Sequence, residues 1–109
     1  MQVNITEYLD NNKKSAFNRW FERLDTQAAL RVAKALYQME HGNFSNVESV
    51  GKGVYEFKIN FGPGYRIYFG QDGEELIILL GGGTKKQQSK DISDAQELWA
   101  DYKKRKKRG

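Results

Sequence analysis

From Val54 to Phe69 the hydrophobic pattern has a period of two, interrupted only at Gly62-Pro63-Gly64. Tyr55, Phe57, Ile59 and Phe61 face one way, and Val54, Glu56, Lys58 and Asn60 the other. Beyond the glycines, Tyr65, Ile67 and Phe69 alternate with Arg66 and Tyr68. Such alternation marks strands with one apolar face, so the stretch predicts a β-hairpin. A three-residue turn pairs Phe61 with Tyr65, Ile59 with Ile67 and Phe57 with Phe69, all apolar and all on one side. The same register sets Asn60 beside Arg66 and Lys58 beside Tyr68. A slip of one residue would expose the whole apolar set to water. Glu56, Lys58, Asn60, Arg66 and Tyr68 are thus expected on one polar surface, which alternation alone reads as the solvated side of a half-buried sheet.

The flanking segments have helical spacing. Phe17, Trp20, Phe21 and Leu24 recur at i, i+3, i+4 and i+7, and Ala29, Val32, Ala33, Leu36 and Met39 form a second stripe. Asp25 or Thr26 is placed to cap the second helix and Gly42 to stop it, which predicts a helical hairpin. Before it, Val3, Ile5, Tyr8 and Leu9 suggest a short edge strand. After the β-hairpin, Asp72-Gly73 is a two-residue turn signal. The unbroken apolar run Leu76 to Leu80 suits a central strand covered on both faces, ended by Gly81-Gly82-Gly83. From about Asp91, the stripe Ile92, Ala95, Leu98, Trp99 and Tyr102 predicts a last helix. The order is that of an α+β domain.

Charge is unevenly spread. Six of the eighteen basic residues occupy Lys103-Lys104-Arg105-Lys106-Lys107-Arg108, and without them twelve basic residues face fourteen acidic ones. Like charges in a block repel, so residues 1–102 are expected to form one domain and 103–109 a disordered basic tail, with docking on ribosomal RNA as a second reading. A local positive patch raises affinity for nucleic acid without specifying sequence. The chain has no cysteine, which removes a disulfide framework and any thiolate metal site. Met1 to Thr6 show no export signal and no apolar run approaches a membrane span, so a soluble cytoplasmic protein without membrane partners is expected.

Several segments together resemble one family. They are Gly53-Val54-Tyr55-Glu56-Phe57-Lys58-Ile59, Gly62-Pro63-Gly64-Tyr65-Arg66-Ile67-Tyr68-Phe69, Leu79-Leu80-Gly81-Gly82-Gly83-Thr84-Lys85-Lys86-Gln87-Gln88, and Asp91-Ile92 with Ala95. With Phe17, Trp20, Leu24 and Gly42-Asn43-Phe44, the chain is similar to the RelE/ParE toxins of type II toxin–antitoxin systems, in the HigB-like "addiction module killer" branch. The resemblance implies a RelE-like fold: an N-terminal strand and helical hairpin packed on an antiparallel sheet, with a C-terminal helix. It also implies a ribosome-dependent endoribonuclease that cuts messenger RNA with the message's own 2′-hydroxyl, using neither metal nor cofactor. The partners implied are the ribosome and mRNA, a cognate antitoxin of helix-turn-helix type, and operator DNA only through the antitoxin complex. A gyrase inhibitor of the ParE kind and a non-catalytic, antitoxin-binding relic are the alternatives.

Such cleavage needs positive charge on the crowded phosphorane and groups to move two protons. Arg66 matches the family's arginine after the turn, and a guanidinium suits two phosphate oxygens at once. Lys58 matches a basic position on the preceding strand and Lys86, with Lys85 as neighbour, one after the glycines. These three are the expected catalytic residues. Glu56 stands where some members carry a lysine, and Ile92 about where some carry a tyrosine; Glu56 and Tyr68 are further candidates for proton transfer or support. His41, the one histidine, ends the second helix and is expected to interact with its carbonyls. The three glycines lack the spacing of a nucleotide-phosphate loop, and close backbone packing at a strand end accounts for them. The aromatic stripes read as core.

Overall fold

The computed structural model describes residues 2–108. In chain order the elements are β1 (Asn4–Glu7), α1 (Ala16–Glu22), α2 (Thr26–Glu40), β2 (Val47–Gly51), β3 (Val54–Ile59), β4 (Tyr65–Gln71), β5 (Leu76–Thr84), a 3₁₀ turn (Lys85–Gln87) and α3 (Gln88–Arg108). The five strands form one sheet in the order β1-β5-β4-β3-β2. All neighbours are antiparallel except β1, which runs parallel to β5.

The first two helices start where a side chain is available to cap them. Ser15 accepts from the Asn18 N–H at the head of α1, and Asp25 from the Ala28 N–H at the head of α2. Gly42 follows α2 at φ +82°, the left-handed conformation that glycine tolerates. His41 Nδ1 lies 2.9 Å from the Tyr37 carbonyl, as its place at the helix end leads one to expect. The buried face of α2 is Ala28, Val32, Ala35 and Met39. Ala33, read from the sequence as part of that face, is exposed.

The sheet has a core on each side. Toward α1 and α2, Phe57, Ile59, Tyr65, Ile67, Phe69, Ile77 and Leu79 pack with Phe17, Val32 and Met39. Toward α3, Val54, Tyr68, Ile78 and Leu80 pack with Ala95 and Trp99. The second core corrects the expectation of a solvated polar face. Glu56, Arg66 and Tyr68 are all buried, because α3 lays its Ala95–Trp99 stripe over that side. Trp99 lies so close to Gly70 that a Cβ there would overlap the indole.

The hairpin register also differs, by two residues. Ile59 pairs with Tyr65, Lys58 with Arg66, Phe57 with Ile67 and Glu56 with Tyr68. A shift of two keeps every side chain on its face. It occurs because Asn60 to Gly64 form a wider loop, with Gly62 and Gly64 at positive φ and the Gly64 N–H bonded to the Phe61 carbonyl. Phe61 leaves the ladder and instead lies under the Arg31 guanidinium, 4.3 Å from its ring centroid.

Three further differences follow from tertiary contacts. The Asp72-Gly73 turn is longer than two residues, since β5 begins only at Leu76; Asp72 is held by Tyr102 Oη at 2.6 Å and by Lys106. β5 continues through the glycines to Thr84, with a bulge that leaves Leu80 unpaired between Leu79 and Gly81. Helix α3 runs to Arg108 instead of giving way to a disordered tail at Lys103; Gly109 lies outside the described residues. Its final turns are tied down by Arg105, which donates to the Leu9 carbonyl at 2.7 Å and pairs with Asp101 at 2.8 Å.

Candidate functional site

The loop between β3 and β4 and the 3₁₀ turn after β5 meet at one end of the sheet. The Lys85 N–H donates to the Gly64 carbonyl at 2.8 Å. Gly64 sits at φ +80°, and a Cβ built on it would lie 3.5 Å both from Arg66 Nη1 and from Lys85 Cβ. The conformation favours glycine there, while the two basic side chains would make only ordinary contact with a Cβ. The register makes Lys58 the direct cross-strand neighbour of Arg66. Arg66 and Lys85 therefore approach this loop with Lys58 beside Arg66 on β3, and Lys85 and Lys86 are both exposed side chains of the 3₁₀ turn.

Like charges directly opposite on a sheet repel, and two carboxylates relieve this pair. Glu48 on β2 holds Lys58 Nζ at 2.7 Å. Glu56 lies 3.7 Å from Arg66 Nε, close enough for charge attraction but too far for a hydrogen bond. Arg66 Nη1 has only a long contact of 3.4 Å with the neighbouring Tyr65 carbonyl. The Glu56 carboxylate accepts from the Gln88 amide at 2.9 Å, which ties it to the first turn of α3.

Tyr68 completes the buried set and is the least usual member. Its hydroxyl, like Arg66 Nε, is buried with no protein hydrogen-bond partner among the described residues. Burial first, and then the charges of Glu56 and Asp91, raise its pKa well above the ordinary phenol value, while Arg66 acts the other way. Each unpaired buried polar group costs about 1–3 kcal/mol. Folded proteins seldom leave such groups unmatched away from functional sites. The structure thus sets Lys58 beside Arg66 and Lys85 at the Gly64 loop, buries Arg66 with Glu56 and Tyr68, and leaves Lys85 and Lys86 exposed.

Several neighbours of this site carry little signal in the sequence. Arg31 reaches it from α2 through Phe61, and Gln88 through Glu56. Asp91 packs on the backbone of Gly83, the residue paired with Arg66 across β4 and β5. Burial, more than the nearby Asp94, raises the Asp91 carboxyl above its usual range, with Lys90 opposing. Gln88 and Asp91 had a visible cue, their places in the family motif at and after the glycines, and Arg31 had none. Among the described residues no group of three His, Cys, Asp or Glu side chains is close enough to hold a metal ion, and no helix is long and apolar enough to cross a membrane.

Residues 19–100 match the family described as "Phage derived protein Gp49-like (DUF891)". An uncharacterised protein of Haemophilus influenzae is 36% identical over 83 residues, which cover 75% of this chain and 84% of that protein. The solved structure of a mutant E. coli toxin RelE in the free state superimposes with a TM-score of 0.66 at 17% identity. The match covers 89% of this chain and 97% of the other. The chain therefore has the RelE fold.

Proposed function

Because the chain belongs to the phage-derived Gp49-like family, we propose that it acts as the toxin of a toxin–antitoxin pair, cutting translated messenger RNA. The observation that carries this reading is the approach of Arg66 and Lys85 to the Gly64 loop of a RelE fold, with Lys58 paired beside Arg66. A 2′-hydroxyl attacking the adjacent phosphorus forms a cyclic phosphate and breaks the bond to the 5′-oxygen. Negative charge gathers on the phosphoryl oxygens in that transition state, and preorganised cations there are the largest source of acceleration. Arg66, aimed at the loop by Glu56 behind it, is suited to hold two of those oxygens. Lys58, Lys85 and Lys86 supply further charge at the rim. No metal or cofactor enters this scheme.

The partners follow from the same reading. The ribosome presents the message, an antitoxin of helix-turn-helix type holds the toxin inactive, and operator DNA is reached only through that complex. The HigB-like branch fits best, from the Gly-Pro-Gly-Tyr-Arg turn followed by Gly-Gly-Thr-Lys-Lys-Gln. The test is a set of exposed or conservative substitutions, Lys58→Ala, Lys86→Ala and Arg66→Lys, expressed with and without the antitoxin. Loss of growth inhibition with antitoxin co-purification intact is expected. Undiminished toxicity of the triple variant would remove this face from the mechanism.

A further inference from the structure

Strand β1 pairs with β5 only from Leu76 to Leu79, and the last bond along that edge is from the Tyr8 N–H to the Leu79 carbonyl. Beyond it, the Gly81-Gly82-Gly83-Thr84 edge of β5 has no neighbouring strand. An open edge offers backbone donors and acceptors to a ligand, while the faces of Gly82 and Gly83 are already covered by Trp20 and Asp91. This edge lines a cleft of about 460 Å³, within the usual size of small-ligand sites. Helix α1 supplies one wall with Arg19, Trp20 and Arg23, and Gln87 and Asp91 supply the other. Neither arginine has an ion-pair partner among the described residues. The Asp91 carboxylate likewise has no protein hydrogen bond among them.

Taking the RNA-cutting reading as its premise, we propose that this cleft is a nucleotide subsite for guanine, next to the phosphate held by Arg66. The sheet sets the two backbones side by side, because Gly83 is the ladder partner of Arg66. Single-stranded RNA is read by hydrogen bonds to the Watson–Crick edges of unstacked bases. Guanine alone among the four bases presents two adjacent N–H donors there, at N1 and N2, and a carboxylate accepts both. Gln87 lines the same cleft, and its amide would donate to the neighbouring O6. Arg19 and Arg23, exposed on α1, meet the phosphates on the outer side. A partly desolvated carboxylate beside bare glycine backbone is costly for the fold, and a base with two donors restores what burial removes.

The experiment titrates GMP, AMP, CMP and UMP at millimolar concentration into the full-length ¹⁵N-labelled chain. GMP is expected to shift the amides of Gly82, Gly83 and Gln87 and the Trp20 indole, binding at least tenfold tighter than the others. Asp91→Asn should abolish that preference while leaving the weak binding of AMP and CMP, and Arg19→Ala with Arg23→Ala should weaken all four alike. Equal binding of the four nucleotides, or a GMP preference that survives Asp91→Asn in a variant with a native spectrum, overturns the subsite. The two readings fail separately. GMP selectivity without RNA cleavage leaves the subsite and removes the nuclease. Cleavage without GMP selectivity does the reverse.

Discussion

Arg66 and Glu56 form the most sensitive pair in the molecule, and truncating one of them yields a worked expectation. Arg66→Ala leaves a carboxylate whose side chain is 3% exposed, with the Gln88 amide as its one remaining donor. Breaking a buried pair by removing one partner costs about 3–5 kcal/mol, mostly from the stranded charge. The Nε contact is long at 3.7 Å, so the lower end applies, about 3 kcal/mol. With a urea slope of about 1.5 kcal/mol/M for a domain this size, the unfolding midpoint should fall by about 2 M. Adding Glu56→Gln removes the stranded charge while keeping the shape, and should restore about half of the loss. The assay is equilibrium urea unfolding followed by tryptophan fluorescence and far-ultraviolet circular dichroism on the single and double variants. A double variant no more stable than Arg66→Ala, or an Arg66→Ala midpoint within about 0.5 M of the parent, would refute the reasoning. Arg66→Lys is for this reason the cleaner probe of function, since it keeps the charge and loses only the guanidinium fork.

Other perturbations follow from the same geometry. Gly82→Ala drives a methyl into the Trp20 ring and should cost about 1–3 kcal/mol, partly recovered by Trp20→Phe; calorimetry of the pair checks this. Lys106 first and Tyr102 second hold the Asp72 carboxyl below its usual range. A depressed acid stabilises the fold above its unfolded pKa and loses that contribution as pH falls through the folded one. Lys106→Ala should therefore flatten the acid limb of the thermal melting curve. Asp91 has the opposite sign: its folded pKa is raised, so its ionisation opposes folding as pH rises through that range. Asp91→Asn should be more stable than the parent at neutral pH and lose that advantage in acid, which melts at pH 7 and pH 3 would reveal. Arg105→Ala gives up hydrogen bonds to Leu9 and Asn11 and should loosen the last turns of α3 at a cost of about 0.5–1.5 kcal/mol, seen as faster amide exchange beyond Asp101.

Faces were legible in the sequence and depths were not. The alternation through β3 and β4 assigns each side chain to its side of the sheet, and the observed two-residue shift leaves those sides unchanged. Alternation cannot say that the polar side is covered, because the cover is the Ala95–Trp99 stripe of a distant helix. Glu56, Arg66 and Tyr68 were therefore expected in water and are found buried. Strand β2 went unread, since Val47-Glu48-Ser49-Val50-Gly51 has no period-two alternation, with Glu48, Ser49 and Gly51 exposed, and its pairing with β3 is purely tertiary. The basic tail looked self-repelling, yet Asp101 and Asp72 neutralise part of its charge and hold it helical. At the site, the sequence pointed to Lys58, Arg66 and Lys86, with Lys85 as a neighbour; the structure pairs Lys58 with Arg66 and sets Lys85 beside Gly64. Arg31 and Gln88, which reach the site only through the fold, were not singled out.

Primer-extension mapping of a translated reporter mRNA after brief induction of the chain, beside a copy lacking its start codon, tests RNA cutting most directly. Breaks confined to the translated copy, and absent with Lys58→Ala and Arg66→Lys, are expected. Intact mRNA in cells whose growth has nonetheless stopped would contradict it and turn attention to DNA supercoiling.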